Sequence, residues 1–390
     1  MIKIVRIQSR ICIGGPALHT EILTTYLPGE RYQTILVGGQ LQEHEQDLFR
    51  SLREKKLDVR LLPEMKRDLS LSDDLQAIWK LICLIKKEKP QIVHTHTAKA
   101  GTLGRIAALI CGVPVVVHTF HGHVFYGYFS PLKTRLFILV ERVLSLMSDQ
   151  IIAISESQAA DLVQKYKVVS SKKVSVIRLG FHLQRYQSDR SPWLKKQLGI
   201  GTDSALAAVI GRLVPIKNLP MAIGAIKLLV DRGRDVHLCI VGDGDEHERL
   251  NRLVQESELQ DRVHFMGWIT EINRVYCGID MLLQSSLNEG TPISILEAMA
   301  AKVPVISTPV GGVPDLIQEG ISGFLCETDN PHDMARQIDF VLQNPRIVGT
   351  VTANAKEFVL KNYDYSRLIG DIDSLYQKLA LLKLPTEFSC

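Results

Sequence analysis

No two cysteines in this chain are spaced to work together. The seven stand at positions 12, 83, 111, 239, 277, 326 and 390, odd in number and never as Cys-x-x-Cys, which argues against a disulfide framework and for a reducing compartment. Long apolar runs are also missing. The longest, such as Leu136 to Val140, are broken by charge well short of the ~20 residues that a membrane span needs. Met1-Ile-Lys-Ile-Val leads straight into an apolar strand, so no secretory leader is expected. These absences place the chain in the cytoplasm, soluble or at most resting on the inner face of the cell membrane. No low-complexity tract occurs, and 46% apolar with 23% charged residues is ordinary globular composition.

At 390 residues the chain exceeds what one core usually supports, and two domains of roughly 180 residues are expected. The overall charge of +4 hides an asymmetry. Residues 1–190 carry 27 Lys and Arg against 17 Asp and Glu, a balance of +10, and the remainder carries −6. A basic first half suits either a plain solvated surface or attraction to an anionic membrane or acceptor. Nucleic acid is not expected, since the net charge is mild and no recognition module is present.

Short β-branched runs alternate with helical patterns. Ile2–Ile7, Thr34–Val37, Val59–Leu62, Ile92–Thr95, Val113–His118, Ile151–Ile154 and Val174–Ile177 read as strands. Asp73–Lys89 and Leu132–Met147, with apolar residues three to four apart, read as crossover helices. The polar stretch 178–192 closes on a Ser-Pro and marks a linker. A second series follows, with Ala205–Ile210, Val236–Val241, Val263–Met266, Met281–Gln284, Val303–Ser307 and Gly323–Cys326 as strands. The expected fold class is α/β, two Rossmann-like domains with parallel sheets facing an interdomain cleft. Ligands in such sheets bind beyond the carboxyl ends of the strands, so motifs there matter most.

The strongest of these motifs is Asn288-Glu289-Gly290-Thr291-Pro292-Ile293-Ser294-Ile295-Leu296-Glu297. Thr291 suits an N-cap and Pro292 the first helical turn, so a helix begins just after Glu289-Gly290 and offers its unpaired amides to an electron-rich ligand. Glu297, one turn on, leans back toward the same place. Read alone, Glu289 is equally a helix-start carboxylate and Glu297 a solvated helical residue. Gly211-Arg212-Leu213-Val214-Pro215-Ile216-Lys217 puts two cations on a short loop after a strand, a fork and a point charge fit for a pyrophosphate. Carboxylates for hydroxyls and cations for phosphates, together in one domain, describe a nucleotide-sugar site.

With these segments in hand, the chain resembles the retaining glycosyltransferases of family 4, which have the GT-B fold, over nearly its whole length. The family's two Glu separated by seven residues match Glu289 and Glu297, and its Gly-Arg…Lys loop matches Arg212 and Lys217. The resemblance implies domains at 1–185 for the acceptor and 186–364 for the donor, with a final helix around Tyr365–Lys383 returning to the first. It implies that Glu297 binds the donor ribose and that Glu289 with the Gly290 to Ile293 backbone holds the sugar. Arg212 and Lys217 would bind the pyrophosphate. Bacterial members that build surface polysaccharides, often on lipid-linked acceptors, are the most similar.

Five weaker signals complete the reading. Gly14-Gly15 would be a turn or, as the resemblance implies, a loop beside donor phosphates and acceptor. Val241-Gly242-Asp243-Gly244-Asp245-Glu246 lacks the third glycine of a dinucleotide fingerprint and sets acids where a pyrophosphate would lie, so it is expected to border the base. His94, His96, His118, His121 and His123 cluster at strand ends, where structural hydrogen bonds compete with a metal site; the resemblance implies a metal-free site with His121 near the sugar. Lys99 is a further candidate for the cleft. Phe125–Arg142 interleaves aromatics and cations, either as an interfacial element or as ordinary packing.

The expected reaction is hexosyl transfer from a UDP-, GDP- or ADP-sugar to a hydroxyl of a glycan or lipid-linked acceptor, without cofactor or divalent metal. Front-face attack, with the leaving phosphate helping to deprotonate the acceptor, is favoured because no carboxylate is placed as a nucleophile. A nucleotide-sugar epimerase or hydrolase of the same architecture, or a catalytically silent partner of another transferase, are the alternatives.

Overall fold

The computed structural model describes residues 1–11, 15–39, 49–66, 70–122, 131–187 and 189–385. The chain divides into two compact units, one of Met1–Phe181 with the chain from Tyr365 onward, the other of His182–Asp364.

In the first unit, strands β1 (Ile2–Arg10), β2 (Tyr32–Gly39), β3 (Asp58–Leu62), β4 (Ile92–His96), β5 (Val115–Phe120), β6 (Gln150–Ala153) and β7 (Val174–Val176) form one parallel sheet in the order 3-2-1-4-5-6-7. Helices α1 (Gly15–Tyr26), α2 (Phe49–Glu54), α3 (Leu71–Glu88), α4 (Ala98–Ile110), α5 (Pro131–Leu146) and α6 (Glu156–Ala160) connect the strands. With both sheet faces covered, β4 and β5 are buried along their whole length, and the polar residues at their carboxyl ends, His94, Thr95, His96, His118 and Thr119, are buried with them. The fifth strand starts at Val115, later than the sequence pattern suggests. Val113 N–H is spent on the carbonyl of Ala108 and Pro114 has no N–H to give a ladder. Helix α3 is set by its ends: Ser70 accepts from the Asp73 amide, and Lys89 in the left-handed region returns its N–H to Ile85.

The second unit has a six-stranded parallel sheet of β8 (Ala205–Ile210), β9 (Val236–Val241), β10 (Val263–Gly267), β11 (Met281–Gln284), β12 (Val305–Ser307) and β13 (Phe324–Leu325), ordered 10-9-8-11-12-13. Its helices are α7 (Trp193–Gln197), α8 (Leu219–Asp231), α9 (His247–Glu256), α10 (Ile272–Gly278), α11 (Ile293–Ala300), α12 (Pro331–Gln343) and α13 (Pro345–Asn362). Met281, Leu283, Ile306 and Phe324 pack with Ala222, Ile226, Met334 and Ile338 into one core. The last helix, α14 (Tyr365–Lys383), belongs to the first unit: Tyr32 Oη and Arg31 both donate to Asp373, and Lys383 pairs with Asp149 at 2.7 Å.

In each sheet the strand order reverses once, between β1 and β4 and between β8 and β11. Connections leave in opposite directions at such a point, and a crevice opens past the carboxyl ends of the two strands.

Candidate functional site

The switch point of the second sheet gathers most of the residues that the sequence singled out. Gly211, Arg212 and Lys217 follow β8, and Gln284, Ser285 and Ser286 end β11; together they line one pocket. The two loops are tied backbone to backbone, with Leu287 N–H donating to the Ile216 carbonyl at 2.8 Å and Ser285 Oγ to the Lys217 carbonyl at 2.9 Å. Two glycines permit the crowding. A Cβ on Gly242 would fall 1.9 Å from the Gly211 carbonyl oxygen, and one on Gly311 would fall 1.8 Å from that of Glu289; both residues have positive φ. Gly242 therefore packs its turn onto the Gly211–Leu213 loop.

Within this frame Glu289 is held by three donors on one oxygen. Lys217 Nζ reaches Oε1 at 2.5 Å and Ser286 Oγ at 2.6 Å, and Gln284 Nε2 donates to the same atom. Lys217 thus carries its charge to Glu289 instead of standing free beside Arg212. Arg212 is exposed and forms no ion pair among the described residues.

Glu297 stands in a separate set of contacts. It is buried on the second turn of α11, accepting from Tyr186 Oη on Oε1 and from Tyr276 Oη on Oε2 at 2.9 Å. Arg185 lies 3.7 Å from Oε1 and over the Tyr186 ring. Burial pushes its carboxyl above the usual range, with the two hydroxyls and Arg185 opposing. Around the helix start Glu289 and Glu297 each keep their own partners, and Ser294 links the two sets, its Oγ donating to Gln284 at 3.3 Å and its carbonyl accepting from Tyr276. Thr291 is not the N-cap. Pro292 takes that position with extended backbone and no side-chain cap, and the helix starts at Ile293, because Pro contributes no N–H and its ring fixes the entry. Gly290 and Thr291 form the half-buried approach to it.

The histidine cluster lies at the switch point of the first sheet. His94 and His96 share a face of β4; His94 bonds Tyr376 Oη at 2.6 Å and Thr119 Oγ1 at 2.7 Å, and His96 Nδ1 lies 3.0 Å from His121 Nε2. His19, on α1, completes the group with ring centroids 5.5 Å from His96 and 4.9 Å from His121. His19, His96 and His121 bring one nitrogen each within 4.8 Å of one another, a ligand count that a metal could use. Burial holds these imidazoles neutral: His121 is pulled down to about 3, and His19, His94, His96 and His118 well below the usual histidine range. Lys99 does not join them. It pairs with Asp74 at 2.6 Å. Gly15 opens α1, whereas Gly14, His123 and the aromatics Phe125 to Phe129 fall outside the described residues.

Sequence reasoning missed Gln284, Ser286, Tyr186, Tyr276, Gly311 and His19. Gln284-Ser285-Ser286, a polar triplet ending an apolar strand, and the paired glycines after β12 were visible signals; the tyrosines, distant in sequence from Glu297, gave none.

Two family models match the chain. Residues 13–185 match the model described as Glycosyltransferase Family 4, and residues 192–358 that described as Glycosyl transferases group 1. Among curated proteins the chain is similar to an Escherichia coli UDP-Gal:alpha-D-GlcNAc-diphosphoundecaprenol alpha-1,3-galactosyltransferase, 27% identical over 390 residues and 98% of each chain. It is likewise 27% identical to the Staphylococcus aureus capsular polysaccharide biosynthesis glycosyltransferase CapM, over 80% of this chain and 83% of that one. Among solved structures, Anabaena Alr3699/HepE in complex with UDP and glucose superposes with a TM-score of 0.83 at 20% identity, covering 97% of this chain and all of that one.

Proposed function

The chain belongs to the glycosyltransferases, a family 4 domain leading into a group 1 domain, and on that premise we propose that it moves a hexosyl group from a nucleoside diphosphate sugar to a lipid-linked or polysaccharide acceptor with retention. The observation that carries this reading is the polar crowd at the β8/β11 switch point, where Arg212 and Lys217 line one pocket with Gln284, Ser285 and Ser286, and Lys217 and Ser286 hold Glu289. A diphosphate there takes both cations, and the carboxylate of Glu289, released from part of its Lys217 contact, is free for sugar hydroxyls. His121, whose burial favours the neutral ring, is assigned to the sugar as charge develops, Gly14 and Gly15 to the phosphate side, and Gly242 to the turn beside the base. Glu297 binds the ribose in exchange for the Tyr186 hydroxyl.

UDP is favoured over GDP or ADP, and a diphospholipid-linked sugar over a free glycan, because the Escherichia coli relative uses that pairing by name. Bacterial surface-glycan assembly on the cytoplasmic side of the membrane is the setting this implies. In the transfer the bond from the anomeric carbon to the diphosphate breaks, the acceptor oxygen bonds to the same face, and the acceptor proton passes to the departing diphosphate oxygen. Preorganised cations on the leaving group supply the main stabilisation, and no divalent metal is required.

Contact with the membrane belongs to the same reading. Leu132, Leu136, Leu139, Val143 and Leu146 form an exposed stripe along α5, beside exposed Lys133 and Arg135. No helix among the described residues is long and apolar enough to cross a membrane. Flotation with anionic vesicles at low salt, lost in Leu136→Asp, is the expected result; equal flotation with neutral vesicles counts against it.

The test of the activity is transfer from a panel of UDP-, GDP- and ADP-sugars to a prenyl diphosphate-linked sugar, with the anomer assigned by NMR. Arg212→Ala and Lys217→Ala should each lower turnover by about 10²–10³, and excess EDTA should leave the wild type active. Activity abolished by EDTA and restored by Mg²⁺ sinks the metal-free mechanism. Sugar released or epimerised without acceptor moves the assignment to a hydrolase or epimerase.

A further inference from the structure

The first unit buries a positive charge that none of its described residues neutralises. Arg6 lies in the middle of β1, in register with His94 of β4, and Gln8 two residues on is in register with His96, so the four side chains share one sheet face. Thr20 of α1 donates to Gln8 and Tyr376 of α14 meets His94, which places that face under these two helices. Arg6 is fully buried, and its Nε, Nη1 and Nη2 have no hydrogen-bond partner among the described residues. A guanidinium keeps its proton in proteins, and an interior charge without a counter-charge or acceptor is among the most costly arrangements a fold can hold.

The surrounding imidazoles are also unfilled. Both nitrogens of His19, Nε2 of His96 and Nδ1 of His121 lack partners, and the His94 and His96 rings are 4.2 Å apart. Among the described residues no carboxylate pairs with Arg6 or with any of these histidines. Two kinds of ligand could fill such a group. A divalent cation would find three ring nitrogens, but would add two positive charges beside Arg6 with no carboxylate to offset them. An oxyanion reverses that balance: it pairs with Arg6 and accepts from its fork and from ring N–H groups. Burial first, and the Arg6 charge with it, lowers the proton affinity of His19, His94 and His96.

We propose that Arg6, His19 and His96 form an oxyanion site at the β1/β4 switch point, taking a phosphate group. Phosphate fits better than carboxylate because five guanidinium N–H groups with added ring donors exceed what two carboxylate oxygens use. The site's three residues all belong to the first unit. Its phosphate comes either from solution or from a phosphate-linked acceptor, and only the second source rests on the transfer reading above.

The test titrates the full chain with inorganic phosphate and, separately, with farnesyl diphosphate, by calorimetry and thermal shift. The same titrations are run on Arg6→Met, on His19→Phe and on a double variant Arg212→Ala/Lys217→Ala. One phosphate should bind per wild-type chain, survive in the double variant, and weaken about tenfold or more in Arg6→Met and in His19→Phe. In phosphate-free buffer Arg6→Met should melt at or above the wild-type temperature, since an unpaired buried charge has been replaced by an apolar side chain of similar length. Should that variant fail to fold, His19→Phe and Arg6→Lys decide by the same binding readout. Farnesyl diphosphate binding more tightly than phosphate, with the same dependence on Arg6, assigns the acceptor as source; equal affinity assigns free phosphate. The proposal is overturned if the wild type binds no phosphate, if binding is lost only in the double variant, or if the purified chain retains one Zn²⁺ that His19→Phe releases.

Discussion

At the switch point of the second unit a carboxylate answers the buried-side cation, Lys217 on Glu289, and tyrosine hydroxyls cover Glu297. Beside the same point in the first unit Arg6 stands among histidines with no acid paired to it among the described residues. The same sheet topology thus supports two solutions to polarity beside a switch point, one closed on itself and one left open. The open one is what a site looks like when part of its charge balance is supplied by a ligand, and it makes the first unit the more sensitive to anything that changes charge.

The contrast sharpens most at a buried pair. Arg105 on α4 and Glu141 on α5 meet at 2.7 Å with side chains almost wholly out of solvent, and Arg105 also donates to the Gly101 carbonyl. Glu141→Ala leaves a second unpaired guanidinium in the first unit and should cost about 3–5 kcal/mol of stability in urea melts. Lys217→Ala breaks a pair that is part exposed and should cost no more than ~1 kcal/mol while damaging turnover. Equal losses in the two would erase the distinction between the units.

Acid provides the next test. The five buried histidines of the first unit have folded-state affinities for protons below those of the unfolded chain, and His121 sits at about 3. Between that value and the usual 6.5 the unfolded chain binds more protons, so stability falls as pH drops through the window and is fully recovered above it. The slope is about 1.4 kcal/mol per pH unit for each such histidine while it alone titrates. Melting followed from pH 7.5 to 5 should show the loss; added phosphate should reduce it. A flat profile would show that these imidazoles are not held neutral. The smallest expected effect is in the second unit: Tyr186→Phe removes one donor to Glu297 and should cost roughly 1 kcal/mol, with donor binding changed only modestly, whereas Glu297→Ala should chiefly weaken donor binding and Glu289→Ala should lower turnover as well. Isothermal titration with UDP separates these cases.

All thirteen strands were legible in the sequence, because a parallel strand covered on both faces must be a compact apolar run and few other segments of this chain are. The loops Gly211–Lys217 and Asn288–Ile293 were legible for the same reason: polar residues that interrupt such runs stand where the strand ends. What could not be read was the set of partners. Whether Lys217 faces a ligand or Glu289 depends on how the loops after β8 and β11 are pinned, and that is decided by Gly242 and Gly311, which bring distant backbone within touching distance. The burial of Glu297 under Tyr186 and Tyr276 depends on contacts 111 and 21 residues away in sequence. The end of α11 was misjudged at Thr291 because Thr-Pro satisfies the local rule for a cap equally well one residue earlier.

Helix α14 has a consequence for the order in which the molecule can be made. β1 leaves the ribosome before the second unit, yet the first unit needs the side chains of Leu368, Ile372, Leu375, Tyr376 and Leu379, which are buried in it and follow the second unit in sequence. The second unit, continuous from His182 to Asp364, is complete before they appear. The part synthesised first is therefore finished last. Until α14 arrives, His94 lacks its tyrosine and the face of the sheet that carries Arg6 has one of its two covering helices missing, so water and ions have access to that charge throughout synthesis. An anion captured during that interval would be enclosed when the final helix docks.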